Sequence, residues 1–415
     1  MQSLANFSPY DGYKSSNVEW NPSVPVHWTT VPMCAVATIK SISNCENEPL
    51  LSVYLDKGVI RFDEVDAKRT NATSNDLSKY QLVEPGDFVL NNQQAWRGSV
   101  GVSAHRGIVS PAYLVLSLSS IINPSFGNYL FRDGSAVAHY LISSKGVGTI
   151  QRNLYWPQLK RTPVILPQLH EQTLIAKFLD QKTAQIDEAI AIKEQQIKLL
   201  QERKQIIIQK AVTQGLDPNL PMKDSGVEWI GQIPEHWEVK KIKMLTHIKN
   251  GIDYKHVESD SGYPVYGSGG QFTFSSRYLH SGEAVLLGRK GTIDKPIYVN
   301  GPFWTVDTMF YAICNKSVYT KYLYFCATTI PFSYYSTSTA LPSMTQTSLL
   351  NHKLAIPNKG EQLRIIDFIE ERCSEIDASI DIQRQQMNKF KEYKAVLINS
   401  AVTGKIKVTP DMVEQ

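Results

Sequence analysis

The chain has 415 residues, 42% of them hydrophobic and 20% charged, which is enough for two or three domains each burying its own core. No apolar run approaches the ~18 residues of a membrane span, Met1 to Tyr10 lack the basic-then-apolar pattern of a signal peptide, and the five cysteines contain no C-x-x-C pair. These features argue for a reducing cytoplasm and no membrane insertion, and against a disulfide framework or a zinc site. The net charge of +4 is unevenly divided: residues 29–166 hold 13 Lys+Arg against 10 Asp+Glu, residues 238–356 hold 12 against 7, and the remainder sums to −4.

In chain order, the first notable segment is Val18-Glu19-Trp20, Pro25 and His27-Trp28. Short strand-like runs follow, Phe88-Val89-Leu90 and Tyr113-Leu114-Val115-Leu116, bounded by Gly, Pro, Asn and Ser. A helix is predicted over Pro124–Ser135. After Pro167, with Glu171-Gln172, a heptad seam runs Leu179, Thr183, Ile186, Ile190, Lys193, Ile197, Leu200, Lys204, Ile207, Ala211. It closes at Thr213-Gln214-Gly215, and Lys210–Lys223 (Gly215, Pro218, Pro221) reads as a linker. Then much of the pattern returns. Val227-Glu228-Trp229, Pro234 and His236-Trp237 repeat the opening at an offset of 209. Ala284-Val285-Leu286-Leu287 reads as a strand and Tyr319–Thr328 as a helix. Pro357, Glu361-Gln362 and the seam Ile369, Cys373, Ile376, Ile380, Gln383, Met387, Phe390, Lys394, Leu397, Ala401 repeat the helical part at an offset of 190, closing at Thr403-Gly404.

The two offsets differ by 19, so the matching ends enclose interiors of unequal length. Fixed ends around variable middles describe two similar modules that face different targets. No Gly or Pro interrupts either seam, so both segments are expected to be long helices zipped as a coiled coil. About 40 residues of helix span ~60 Å. Each middle is expected to be a compact α/β module.

Several apparent motifs lack the residues that their chemistry needs. No G-x-x-x-x-G-K-[ST] is present, and the glycine-rich Gly262–Gly270 has no Lys-Ser/Thr to hold a phosphate. Asn123-Pro124-Ser125-Phe126 resembles the base-holding motif of adenine methyltransferases but lacks its second proline, and Asn-Pro opening a helix explains it. Glu238-Val239-Lys240 has no evident aspartate partner for a nuclease site. His27 and His236, beside Trp28 and Trp237, read as packing residues. No catalytic or metal-binding constellation emerges.

The polar loops of the basic middles are the positive signal, against the plain alternative of solvated surface. In the first, Asn91, Asn92, Gln93 and Gln94 offer amides for adenine edges, and Arg97, beside Trp96, offers a fork for guanine. Arg106, Lys145, Gln151 and Arg152 join them as candidates. In the second, the candidates are Ser268, Arg277, Arg289, Lys290, Ser343, Thr345 and Gln346. The 190 offset places Gln151-Arg152 opposite Leu341-Pro342, so the location repeats while the side chains differ.

With these features assembled, the chain resembles the specificity (S) subunit of Type I restriction–modification systems. The resemblance rests on V-E-W…I-P-x-H-W at Gly226–Trp237, on P-x-x-x-E-Q at Pro167 and Pro357, and on the helix ends Ala211-Val212-Thr213-Gln214-Gly215 and Ala401-Val402-Thr403-Gly404. It covers nearly the whole chain. The first copy departs mildly, with Asn21-Pro22-Ser23-Val24 where the second has Ile230-Gly231-Gln232-Ile233. Membership implies an α/β fold class: two target recognition domains joined by two long antiparallel coiled-coil helices, with pseudo-two-fold symmetry. The implied layout is residues 1–166 (arm 1–28), helix 167–215, residues 216–356 (linker 216–237) and helix 357–408. It implies a non-catalytic subunit that reads a bipartite double-stranded DNA target and positions two methyltransferase subunits and, optionally, restriction subunits. It binds no cofactor itself; S-adenosylmethionine, ATP and Mg belong to the partners. A stand-alone DNA-binding protein of repressor type is the competing reading, separated by whether a methyltransferase copurifies.

Overall fold

The computed structural model describes residues 7–55, 57–64, 76–146, 152–335 and 342–413, so Gln151 lies outside the described residues. The chain forms two compact units, Met1–Ile192 with Gln386–Gln415, and Lys193–Gln385. Their boundaries fall within the two long helices. Among the described residues no helix is long and apolar enough to cross a membrane.

In the first unit, β1 (Ala37–Ile39), β2 (Phe88–Asn91), β3 (Val100–Val102) and β4 (Tyr113–Leu118) form an antiparallel sheet in the order β1-β4-β2-β3. Strand β2 is buried on both faces: Phe88 and Leu90 enter the main core while Val89 enters a smaller one. That is why the run reads as continuously apolar. The helix predicted over Pro124–Ser135 is two helices, α1 (Pro124–Arg132) and α2 (Gly134–Ile142). Asn123 caps α1 by accepting from the Ser125 and Phe126 N–H groups, with proline at the first turn, which accounts for the Asn-Pro motif. Asp133 breaks the run because its carboxylate caps α2 through the Ser135 N–H. The unit continues into α3 (Leu169–Gln214), a single helix of 46 residues. The linker therefore starts at Gly215, since Lys210–Gln214 still belong to α3.

The second unit is built differently. Strands β5 (Thr246–Asn250), β6 (Tyr263–Gly267), β7 (Gly270–Ser275), β8 (His280–Gly288), β9 (Ile297–Thr305) and β10 (Met309–Cys314) share one seven-stranded sheet with Glu258–Ser259, in the order β5-β10-β8-β9-β6-β7 and then Glu258–Ser259. The glycine-rich Gly262–Gly270 supplies β6 and the tight turn into β7. Helices α4 (Thr320–Ala327) and α5 (Gln346–Asn351) follow, and α6 (Lys359–Val402) is the second long helix, of 44 residues.

The repeated residues form the same frame in each unit. Glu171 is buried and receives the Trp28 indole N–H at 3.2 Å, with His27 Nε2 at 2.8 Å. Glu361 receives Trp237 at 3.1 Å, with His236 Nε2 at 2.9 Å. The neighbouring glutamines, both fully buried, span the helix start in the same manner. The Asn123 N–H donates to Gln172 Oε1, and Gln172 Nε2 donates to the Ile121 and Pro167 carbonyls. Gln362 does the same with the Tyr319 N–H and the Ser317 and Pro357 carbonyls. A two-stranded ladder closes each frame, Thr29–Pro32 with Pro163–Leu166 and Glu238–Lys241 with Lys353–Ile356. The histidines expected to be packing residues are thus polar partners of these carboxylates.

Each unit also contains an antiparallel helix contact. In the first, Lys394 of α6 holds Asp187 of α3 at 2.6 Å; in the second, Lys204 of α3 holds Asp377 of α6 at 2.7 Å. The expected seam, Leu179, Ile186, Ile190, Ile197, Leu200 and Ile207 with Ile369, Ile376, Ile380, Met387, Phe390 and Leu397, is buried or half-buried throughout. It is fully buried near the helix ends, and toward Ile207 burial moves to Ile208. A 3.6-residue turn drifts against a 3.5-residue repeat in this direction. Gly404, at φ +77°, ends α6 against Pro25 and Trp28, where a Cβ would stand 2.5 Å from Pro25 Cδ. Gly215, at φ +75°, ends α3 against Trp237.

Candidate nucleic-acid interface

In the first unit the candidate loop leaves β2 at Asn91 and makes a short 3-10 turn, Ala95–Arg97, plugged by the fully buried Ala95. The turn is held locally: the Gln93 N–H donates to Asn91 Oδ1, and the Trp96 indole donates to the Gln93 carbonyl at 2.9 Å. A second segment is tied to it, because the Leu154 N–H donates to the Asn92 carbonyl and Asn153–Leu154 pairs with Ser144–Lys145. The Arg97 guanidinium lies 4.6 Å from the Trp96 ring and that of Arg152 lies 6.0 Å from it, while Lys145 stands 4.8 Å from the Tyr155 ring. Asn91, Asn92, Gln93, Gln94, Trp96, Arg97, Lys145 and Arg152 therefore form one basic and aromatic cluster. Gln93, Arg97 and Lys145 are its exposed members.

Arg106 is placed otherwise. It pairs with Glu48 at 2.9 Å and Glu84 at 2.8 Å. Glu84 also meets Lys40, whose ammonium holds its carboxyl below the usual carboxylate range. This arginine is engaged by carboxylates of its own unit.

In the second unit the chain turns sharply after β8. The Arg289 and Lys290 N–H groups both donate to the Thr308 carbonyl, the Met344 N–H donates to the Arg289 carbonyl, and Lys290 bridges Ser343. These bonds bring Arg289, Lys290, Ser343, Thr345 and Gln346 around one cavity of about 390 Å³, completed by Asn250, Phe310 and Met344. Ser268, at the β6–β7 turn, adjoins the same loop, with its hydroxyl 2.9 Å from where a Cβ on Gly291 would lie. Arg277 is exposed on the β7–β8 connection and does not line the cavity. Thr345 is partly committed, since its hydroxyl caps α5 through the Ser348 N–H at 3.1 Å. The Arg289 guanidinium lies 5.9 Å from the Phe310 ring, and one of its N–H groups reaches the Asp307 carbonyl at 3.4 Å.

Asn250 was not among the sequence-based candidates. It is exposed at the end of β5, where buried Thr246 and Ile248 alternate with exposed His247 and Lys249. That alternation, visible in the sequence, is the signal that marks a polar outer edge. A strand ending in Lys-Asn-Gly beside no other motif does not announce that it will meet residues 289 and 346.

A profile described as the Type I restriction modification DNA specificity domain matches residues 25–202 and again 234–392. A curated relative, the Type I restriction enzyme MjaVIII specificity subunit of Methanocaldococcus jannaschii, is 26% identical over 392 residues and aligns with 86% of each chain. Two solved structures share the fold. One, from a study of complex assembly and conformational transition of the type I R-M system, has a TM-score of 0.68 at 14% identity over 91% of this chain and 98% of its own. The other, the HsdS subunit from Thermoanaerobacter tengcongensis, has a TM-score of 0.51 at 14% identity over 94% of this chain and all of its own.

Proposed function

The chain belongs to the Type I restriction–modification DNA specificity family, and on that premise we propose how its parts divide the work of a bipartite recognition subunit. Each unit's basic interior reads one half of a split double-stranded DNA target. Lysines and arginines neutralise phosphates and set register, and a few side chains meet base edges. The observation that carries this reading is the contrast between frame and interior. The Glu171 and Glu361 frames share their Trp and His bonds, Glu171 accepting the Tyr10 hydroxyl in addition, while the largest sheets among the described residues of the two units have four and seven strands. A shared mount with different readers is what two different half-sites require.

One half-site alone is held weakly, and joining the two readers raises the effective concentration at the second. The long helices α3 and α6 set the spacing between half-sites. Two methyltransferase subunits bring S-adenosylmethionine and flip an adenine in each half-site. Restriction subunits, where present, bring ATP and Mg. In this division the chain works in the cytoplasm beside its partners, and the cofactors and the bond-making chemistry belong to the methyltransferase and restriction subunits.

The test is direct. The purified chain is incubated with DNA and labelled S-adenosylmethionine, alone and with the co-encoded methyltransferase. Transfer is expected only in the mixture. Robust transfer by the chain alone overturns the assignment to a non-catalytic subunit, and copurification without any methyltransferase favours a stand-alone DNA-binding protein.

A further inference from the structure

Two of the polar side chains that line the cavity around Arg289 are oriented by their neighbours, and together they are selective. Gln346 is half-buried, and its side-chain Nε2 donates to the Ile248 carbonyl at 2.9 Å. Only the amino end of the amide can face a carbonyl, so the orientation of this side chain follows from chemistry. Its Oε1 then remains as an acceptor, and no group among the described residues donates to it. Arg289 is complementary. It has no carboxylate partner among the described residues, and its one bond, at 3.4 Å, leaves most of its N–H fork unused. The Phe310 ring supports the guanidinium from beneath at 5.9 Å. A fork of donors and an acceptor of fixed orientation therefore line the same cavity, beside the exposed Asn250 amide and the Lys290 ammonium.

In the major groove only guanine places two acceptors, O6 and N7, side by side, and its paired cytosine presents the N4–H donor on the same edge. Adenine interrupts its N7 with a donor, and thymine adds a methyl group. We propose that this cavity reads a G·C base pair of the second half-site, with Arg289 donating to guanine O6 and N7 and Gln346 Oε1 accepting from cytosine N4. The inference rests on the second unit being a DNA reader.

The test is methylome sequencing of cells carrying the complete complex with wild-type chain, Arg289→Ala or Gln346→Ala, joined to binding of the purified complexes to duplexes altered at the assigned position. The wild-type motif is expected to contain an invariant G·C pair in the half-site read by the second unit. Both variants should relax that same position and leave the first half-site unchanged, and continued methylation at the relaxed sites shows that they fold. Arg289→Ala should reduce discrimination between G·C and A·T there by about 5- to 150-fold. An unchanged motif, relaxation at two different positions, or a uniform loss of binding to every duplex (the mark of a phosphate contact) overturns the inference alone. A wild-type complex with no bipartite motif overturns the functional reading beneath it as well.

Discussion

Trp28 and Glu171 are 143 residues apart in the chain and share a 3.2 Å hydrogen bond inside the first core. Trp237 and Glu361 repeat that bond at 3.1 Å. The recurring H-W and E-Q dipeptides are two ends of one contact, which fastens the opening of each copy to the start of its helix. Replacing Glu361 by Ala leaves the indole N–H buried without an acceptor and should cost about 1–3 kcal/mol. Glu361→Gln keeps an acceptor and should cost less. Urea unfolding of the two variants checks this ordering, and an Ala variant as stable as wild type would show that the contact holds nothing together.

The helix contacts are weaker. Lys394 and Asp187 are 30% and 57% exposed, so the pair contributes about 0.2–1 kcal/mol, less in high salt. Asp187→Lys should lower stability by an amount of that order, and adding Lys394→Asp should restore it. A double-mutant cycle measures the coupling. A double variant no better than the single one would contradict the antiparallel register.

His352 gives the second unit an acid-sensitive point. It is buried, stacked 5.2 Å from Trp229, with its Nδ1 2.8 Å from the Tyr335 hydroxyl, and burial pulls its pKa from 6.5 down to about 4. The unfolded chain takes up a proton near pH 6.5 while the folded chain resists it, so stability is full above pH 6.5 and falls as pH drops toward 4. The loss from this one group is of the order of 3 kcal/mol. Chemical denaturation of wild type and His352→Gln across pH 7.5 to 4 should show a steeper decline in wild type. Parallel declines would assign the acid sensitivity to other groups.

If α3 and α6 set the spacing of the half-sites, lengthening them should change the gap and not the bases. Four residues inserted near Gln195 add about 6 Å of rise and slightly more than one turn. At ~3.4 Å per base pair the preferred spacer should grow by one or two base pairs. An altered half-site with an unchanged gap would show that the helices take part in reading DNA.

The frame was legible in the sequence because its parts are local or repeated. The heptad seam marks both helices, and the shared offset ties Glu171 to Glu361. The bonds themselves were not legible, since nothing local says that His27 will meet a carboxylate 144 residues away. The break at Asp133 was hidden because the apolar pattern continues across it, and only the capping carboxylate ends the helix. The interiors were least legible. Arg97 and Trp96 were found because they are adjacent, whereas Asn250 joins Arg289 and Gln346 only through the pairing of β5 with β10 and β10 with β8.

As a specificity subunit, this chain should choose the DNA sequence on which a methyltransferase acts. Methylome sequencing of one host with the gene, without it, and with residues 238–356 exchanged for those of a relative tests it most directly. A bipartite methylated motif should be present with the gene and absent without it, and the exchange should alter one half-site while preserving the other. Methylation that persists after deletion, or an exchange that changes both half-sites at once, would contradict the account.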